Sequence, residues 1–150
     1  MTPDEFFDQY TDTLWFDFKG DRPKLVRACV TLCERVPDDV WDEMPHVLIF
    51  APSPRELGSC TYIPRNPRLM RESDAFLYFA PKLERGKQAE VDFTVAHEFA
   101  HALCQHHRNL SLTEKEVEEG YLKFNAEQEA DKLAVKWGYT IPEYRKAASK

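Results

Sequence analysis

The segment TVAHEFAHALCQHH, residues 94–107, contains four of the five histidines in the chain. Within it, His97 and His101 are separated by four positions, and Glu98 directly follows the first of them. In an α-helix, residues four positions apart differ by about 40° around the axis and by one turn along it. The two imidazoles can therefore converge on one ion. Zn²⁺ suits such a pair, since its bonds to nitrogen are about 2.0–2.1 Å long.

Glu98 stands beside the helix face that carries the two histidines. A carboxylate in that position can reach a metal-bound water without being a ligand, as the general base of metal-assisted hydrolysis does. The surrounding helix is apolar, so two imidazoles and a carboxylate would cost stability there unless they were satisfied. The pattern therefore predicts a metal site, in preference to histidines satisfied by ordinary hydrogen bonds.

A catalytic zinc site usually has three protein ligands and one water, so a third ligand is needed. Glu127 and Asp131 lie four positions apart in the downstream segment NAEQEADKLA and share one face of a second helix. We predict that Glu127 is the third ligand. Asp131 is then expected to accept a hydrogen bond from the non-ligating nitrogen of one of the two histidines. Glu129 is the alternative ligand, although it points about 200° away from Glu127.

Hydrolysis of an amide also needs a group that stabilises the developing oxyanion. Tyr121 lies just before Glu127, in the connection between the two helices, and is a candidate for this catalytic role. A tyrosine that only packs is the alternative interpretation. His106 and His107 end the first of these helices, where positive imidazoles would complement the helix dipole.

Helical periodicity predicts the elements that hold these side chains. Apolar residues recur with helical spacing over residues 88–106 and 121–137, and Gly138 and Pro142 close the second segment. A helix is also predicted over residues 3–17, where Thr2 before Pro3 is a start signal. The segment DRPKLVRACVTLCERVP predicts a further amphipathic helix that ends before Pro37.

The middle of the chain predicts strands. Three short runs there are rich in β-branched and aromatic residues and are flanked by prolines: residues 46–51, 59–63 and 75–80. Helices, then three consecutive strands, then two helices indicate an α+β fold. The expected order is N-terminal helices, a small three-stranded sheet, an active-site helix and a glutamate helix.

Length and composition restrict the class of protein. The 150 residues predict one domain over 1–150, with residues 1–20 a candidate N-terminal helical extension. The hydrophobic content of 43% argues against disorder. The net charge is −6 and no basic run interleaves with aromatics, so nucleic acid is not an expected partner. We find no signal peptide or membrane-spanning run, so we expect no membrane association and a cytoplasmic location.

The two predicted metal-binding segments resemble a known family. DFTVAHEFAHALCQHH, followed by EQEADKLAVKWGYTIP, resembles the ImmA/IrrE-type metallopeptidases within the broader gluzincin clan. That family shows FTxAHExxHxxxH and then ExEAxxFAxxLLxP, so Glu127, Ala130 and Asp131 match the first Glu, the Ala and the polar residue of the second motif. The resemblance implies a zincin-like minimal metallopeptidase fold, a bound Zn²⁺ and hydrolysis of peptide bonds.

The sequence therefore predicts a zinc-dependent peptidase that acts on a peptide or protein substrate. Glu98 would take a proton from the metal-activated water and pass it to the leaving amine. The alternative is a catalytically silent zincin-like module that binds or regulates a partner, in a phage or mobile-element context. A fourth protein ligand, such as His106 or a cysteine, would favour the module, whereas an open coordination position would favour the enzyme. A chance HExxH would bind no metal.

Overall fold

The computed structural model describes residues 1–16, 22–51, 75–104, 121–143 and 145. Within these ranges the chain forms α-helices, short strands and a 3-10 helix. In chain order they are α1 (Pro3–Tyr10), β1 (Thr11–Phe16), α2 (Pro23–Arg35), α3 (Asp38–Glu43), β2 (Val47–Ala51), β3 (Ala75–Tyr78), the 3-10 helix Pro81–Arg85, α4 (Gln88–Leu103) and α5 (Tyr121–Lys136).

Helix α1 begins at the predicted start signal. The Thr2 hydroxyl accepts a hydrogen bond from the backbone N–H of Glu5, and the Glu5 carboxylate accepts one from the N–H of Thr2, both at 3.2 Å. This reciprocal pair satisfies two N–H groups that a helix end leaves without partners, and Pro3 at the first helical position has no N–H to satisfy. The helix is shorter than predicted, because the chain becomes extended at Thr11.

The predicted helix over residues 3–17 is wrong over residues 11–16, and Asp17 lies outside the described residues. Residues Thr11–Phe16, TDTLWF, form the strand β1. It pairs in parallel with β2, and Thr11 lies opposite Ile49. The apolar spacing of this segment fits a helix, but its threonines and aromatic residues also fit a strand that has a neighbour to pair with. Pairing with a neighbouring strand therefore determines the secondary structure of this segment, which its local periodicity leaves ambiguous.

The predicted fold class is also wrong. An α+β zincin-like arrangement, with a sheet built from three consecutive central strands, is not what the described residues form. They are mostly helical, with α-helices of 8, 13, 6, 16 and 16 residues against strands of 6, 5 and 4 residues. The pairing that is present joins β2 to β1 and to β3, in parallel in both cases. Parallel neighbours need crossover connections, and α2 and α3 lie between β1 and β2.

Two of the predicted strands do occur. Residues 46–51 and 75–80 contain β2 and β3, and these pair directly with Val47 opposite Ala75 and Phe50 opposite Tyr78. The third predicted strand, residues 59–63, lies outside the described residues. The helices predicted over 88–106 and 121–137 are found as α4 and α5, with residues 105–106 of the first outside the described ranges.

Helix α4 is the centre of the packing. It contacts both α2 and α5, and the residues it buries cover about two thirds of its circumference at roughly 100° per residue. They are Val91, Phe93, Val95, Ala96, His97, Phe99, Ala100 and Ala102. A helix with so wide an apolar face belongs in the core, and its remaining side carries Thr94, Glu98 and His101. No helix in the described ranges has both the length and the apolar character needed to cross a bilayer.

An aromatic cluster joins the N-terminal part of the chain to α4. The Phe99 ring centroid lies 5.5 Å from that of Phe6, 5.7 Å from that of Tyr10 and 6.0 Å from that of Trp41. Phe6, Tyr10 and Phe99 are fully buried. Edge-to-face and tilted ring pairs at these separations are favourable beyond the area that they bury. Helix α1 is therefore part of the same core as α4.

The end of α5 is fixed by a glycine and an arginine. Gly138 has φ +96°, a backbone conformation that is unfavourable for any residue with a Cβ atom. The Tyr139 N–H donates to the Ala134 carbonyl at 3.1 Å, as is typical where a helix ends at a glycine. Arg35 of α2 donates to the Gly138 carbonyl at 2.7 Å, and its guanidinium lies 4.6 Å from the centroid of the Tyr139 ring. This glycine stop confirms the predicted end of α5, and Arg35 ties that end to α2.

We predict that Phe99→Ala lowers the free energy of unfolding by about 3–5 kcal/mol, the usual cost of emptying a buried aromatic site. Urea unfolding followed by circular dichroism measures the change. Val135→Ala, at an α5 position that is 47% exposed, is the control and should change the value by less than about 0.5 kcal/mol. Equal midpoints for the Phe99 variant and the unchanged protein would show that the cluster contributes no stability.

Candidate metal centre

Helix α4 carries two histidines whose rings meet on one face. The Nε2 atoms of His97 and His101 lie 3.0 Å apart, and the two rings are perpendicular with centroids 4.5 Å apart. This is the outcome that four-residue spacing on a helix predicts. His97 is only 4% exposed, and its ring stacks on that of Phe93 at 5.8 Å between centroids. The first imidazole is thus held by the core, whereas His101 is partly exposed.

Helix α5 brings a carboxylate to the same point. Glu127 Oε2 lies 3.0 Å from His97 Nε2, and Glu127 Oε1 lies 3.1 Å from His101 Nε2. The contact exists because α4 and α5 pack together and Glu127 lies on the α5 face that meets α4. The structure therefore brings together the three residues that were predicted as ligands.

The three ligand atoms have a spacing that a metal ion can use. The two Nε2 atoms lie 3.0 Å apart, each lies 3.0–3.1 Å from a different oxygen of Glu127, and one ligand atom from each residue lies within 4.8 Å of the other two. Bonds of about 2.0–2.1 Å to a tetrahedral Zn²⁺ imply edges of about 3.3–3.4 Å. Small side-chain rotations would provide the difference. The donor set also fits, because imidazole nitrogen and carboxylate oxygen are the atoms that zinc takes in catalytic sites. His97, His101 and Glu127 form a group that could hold a metal ion.

The charge of Glu127 suits a ligand. Hydrogen bonds from His101 first, and then from His97, hold the pKa of its carboxyl well below the usual range, while partial burial opposes them. The group is therefore ionised throughout the neutral range. A ligand carboxylate must be deprotonated, so no proton has to leave Glu127 when a metal binds at neutral pH.

Asp131 lies behind His97, one turn along α5 from Glu127. Its Oδ1 is 2.8 Å from His97 Nδ1, the ring nitrogen that faces away from Glu127. This nitrogen is buried, and its geometry does not meet the criteria for a hydrogen bond. Asp131 Oδ1 is nevertheless close enough to act as its acceptor. A proton on Nδ1 leaves the Nε2 lone pair directed at the ligand cluster, which is the usual function of a carboxylate behind a metal-binding histidine.

A pocket opens beside the three ligand atoms. Its volume is about 220 Å³. The residues that line it are Phe93, Thr94, His97, Glu98, Glu127 and Arg145. Glu98, the predicted general base, thus borders the same space as two of the three candidate ligands, and it is partly exposed. Within the described ranges no fourth protein ligand joins the group, which leaves room for a water or a substrate atom.

Two further predicted residues have different outcomes. Glu129, the alternative third ligand, is exposed on α5 and is not part of the convergent group. Tyr121 is the first residue of α5, where the predicted helix begins, and its side chain lies outside what the structure describes. Its role at the oxyanion therefore stays a prediction.

His106 and His107 also lie outside the described ranges, while Cys29 and Cys33 are buried on α2 and take no part in the cluster.

Arg145 is a residue of the site that the sequence did not suggest. Its Nη2 lies 3.1 Å from Glu127 Oε2 and 3.1 and 3.2 Å from the two carboxylate oxygens of Asp131. It lies 14 residues beyond Asp131 in a short C-terminal segment with no recognisable motif. The only available signal is indirect, because like charges four positions apart on a helix destabilise each other slightly and so favour a cation nearby.

Comparison of the chain with protein-family models, with curated proteins and with solved structures gives no match. The resemblance to the ImmA/IrrE-type metallopeptidases therefore stays a prediction from two sequence motifs. Function has to be inferred from the arrangement of the side chains.

We predict that the protein binds one Zn²⁺ per chain and that Glu127→Ala weakens this binding by more than about 100-fold. Loss of a ligand should exceed the roughly 10–100-fold cost of losing a residue that only supports one. Competition with a chromophoric chelator measures the affinity. Glu129→Ala removes the same group from an exposed position of α5 and should leave the affinity unchanged. The opposite pattern would show that Glu129 is the ligand.

Proposed function

We propose that the chain is a zinc-dependent peptidase that hydrolyses peptide bonds. The observation that supports this most strongly is the convergence of two imidazoles and one carboxylate next to a pocket that Glu98 also lines. A structural zinc site normally has four protein ligands, whereas a catalytic one has three and an open position. The group in the described residues contains three.

The chemistry divides between the metal and Glu98. A bound Zn²⁺ would supply Lewis acidity and lower the pKa of a coordinated water. Glu98 follows His97 in the chain and lines the pocket without belonging to the ligand group, so its carboxylate is free to accept a proton there. It can then return that proton to the departing amine, as a general base that becomes a general acid does. Glu127 would hold the ion together with the two histidines, and Asp131 would orient His97 through Nδ1.

The substrate class rests on the motif and on the pocket. HExxH on a helix, with its glutamate as the base, is the arrangement of metal-dependent peptide hydrolysis. The pocket of about 220 Å³ is smaller than the roughly 300–1,000 Å³ of sites that enclose drug-sized ligands. Such a space suits a single peptide unit of a longer chain more than an enclosed small molecule. A peptide or protein substrate is therefore the proposal.

We predict that Glu98→Gln keeps zinc binding but lowers peptide hydrolysis by about 10²–10⁴-fold, the usual contribution of general-base catalysis. A glutamine has nearly the same shape but cannot accept the proton. The assay uses the zinc-loaded protein with a mixture of internally quenched peptides and with denatured casein. Chelator competition on the same samples measures zinc affinity.

Glu129→Gln is the matched control, because it changes an exposed glutamate of α5 in the same way and should leave the rate unchanged. A Glu98→Gln protein that cleaves as fast as the unchanged protein would remove Glu98 from the mechanism. If the wild-type protein binds zinc tightly but cleaves no peptide, the result would favour the alternative function, a catalytically silent module that binds or regulates a partner. An unchanged protein that binds no metal would leave HEFAH as a chance motif.

A further inference from the structure

Arg145 reaches the candidate metal centre from the C-terminal end of the described chain. After α5 the chain turns at Pro142, where the backbone N–H of Arg145 donates to the Pro142 carbonyl at 3.0 Å. The turn brings the guanidinium back to the side of α5 that faces α4. There its Cζ atom lies 5.8 Å from the centroid of the Phe93 ring, and the side chain is 29% exposed.

One nitrogen of this guanidinium contacts both acidic residues of the site. Nη2 lies 3.1 Å from Glu127 Oε2 and 3.1 Å from Asp131 Oδ1. The same two oxygens lie close to His97, with Oε2 3.0 Å from Nε2 and Oδ1 2.8 Å from Nδ1. Arg145 therefore touches the carboxylate predicted to bind the metal and the carboxylate predicted to orient a metal-binding imidazole.

Without a cation, these two carboxylates would repel each other. They lie one turn apart on the same face of α5, where like charges destabilise each other. Their contacts with His97 require both to point toward α4 at the same time. A guanidinium between them offsets this repulsion and holds both side chains by hydrogen bonds to charged acceptors, which are stronger than neutral ones.

We propose that Arg145 is the positioning residue of the metal centre, which holds Glu127 and Asp131 in the orientation that metal binding requires. This inference rests on the proposed metal site and deepens it. Arg145 acts through the two carboxylates and is not itself a ligand. Its positive charge does not prevent cation binding, because two carboxylates and one guanidinium leave one net negative charge at the centre.

The test measures the affinity of the full chain for Zn²⁺, by chelator competition, in three variants. Arg145→Gln should weaken binding by about 10–100-fold, the usual effect of removing a residue that supports a metal ligand. Arg145→Lys should recover part of that loss, since a lysine retains the charge but not the planar group of donors. Visible absorption of the Co²⁺-substituted proteins should differ between the unchanged chain and Arg145→Gln, because the orientation of Glu127 affects the coordination geometry.

Arg35→Gln is the matched control. Arg35 also holds the C-terminal part of α5, through Gly138 and Tyr139, but it makes no contact with the metal centre. If Arg145 acted only by fastening this segment to the core, Arg35→Gln would reduce zinc affinity to a similar extent. We expect instead a change of less than about threefold for Arg35→Gln, because the supporting contacts that govern affinity are those to the ligands. Circular dichroism of each metal-free variant verifies that it is folded.

The outcomes separate this inference from the proposed function. An Arg145→Gln protein that binds Zn²⁺ as tightly as the unchanged chain, or more tightly, would overturn the positioning role. An equal loss in Arg35→Gln would also overturn it. Weaker binding in Arg145→Gln alone would support it even if no peptide is cleaved, because the affinity does not depend on activity. Conversely, an active peptidase with unaltered affinity in Arg145→Gln would retain the proposed function and reject the role of Arg145.

Discussion

The contact between Glu127 and the two imidazoles of α4 is the constraint on which the site depends. Its oxygens lie 3.0 and 3.1 Å from the Nε2 atoms of His97 and His101, and these atoms belong to two helices separated by the 17 residues 104–120. A shift of α5 along α4 by one residue would move Glu127 by about 1.5 Å and turn it by about 100°. The packing of these helices therefore determines whether a metal centre exists.

Because His97 is buried, the positions of the charged groups around it are important. His97 is 4% exposed, and a buried imidazole without partners would cost free energy. Its two nitrogens face Glu127 and Asp131, and Arg145 contacts both of these carboxylates. Each polar group thus lies against one of opposite charge or of complementary hydrogen-bonding type. The same arrangement keeps Glu127 ionised and directs Nε2 of His97 toward the candidate ligand cluster, so stability and the proposed metal binding place the same demands on these side chains.

The sequence predicted the parts of the site that depend on helix geometry alone. His97 and His101 meet because they are four positions apart on a helix, and Glu127 and Asp131 share a face for the same reason. The choice of Glu127 over Glu129 followed from the roughly 200° between them, and the structure groups Glu127 with the histidines. Arg145 could not be predicted, because its position depends on a turn at Pro142 that returns the chain to α5.

The fold was harder to predict than the site. The apolar residues of Thr11–Phe16 fit the periodicity of a helix and that of a strand, and only pairing with β2 makes this segment a strand. Helix α3, only six residues long, has too few turns for its periodicity to be visible. A parallel arrangement also cannot be read from runs of β-branched residues, because it depends on the path of the chain between strands.

The aromatic cluster explains how so distant a part of the chain contributes to the candidate metal centre. Phe99 lies between the two histidines in sequence, about 200° around the axis from each of them, so it points to the other side of α4. There Phe6, Tyr10 and Trp41 surround it. A helix cannot rotate about its axis while a ring on one face is enclosed by three others. With Phe99 fixed, His97 and His101 must face α5. The N-terminal helix therefore orients the imidazoles from the opposite side of α4, without contact with the site itself.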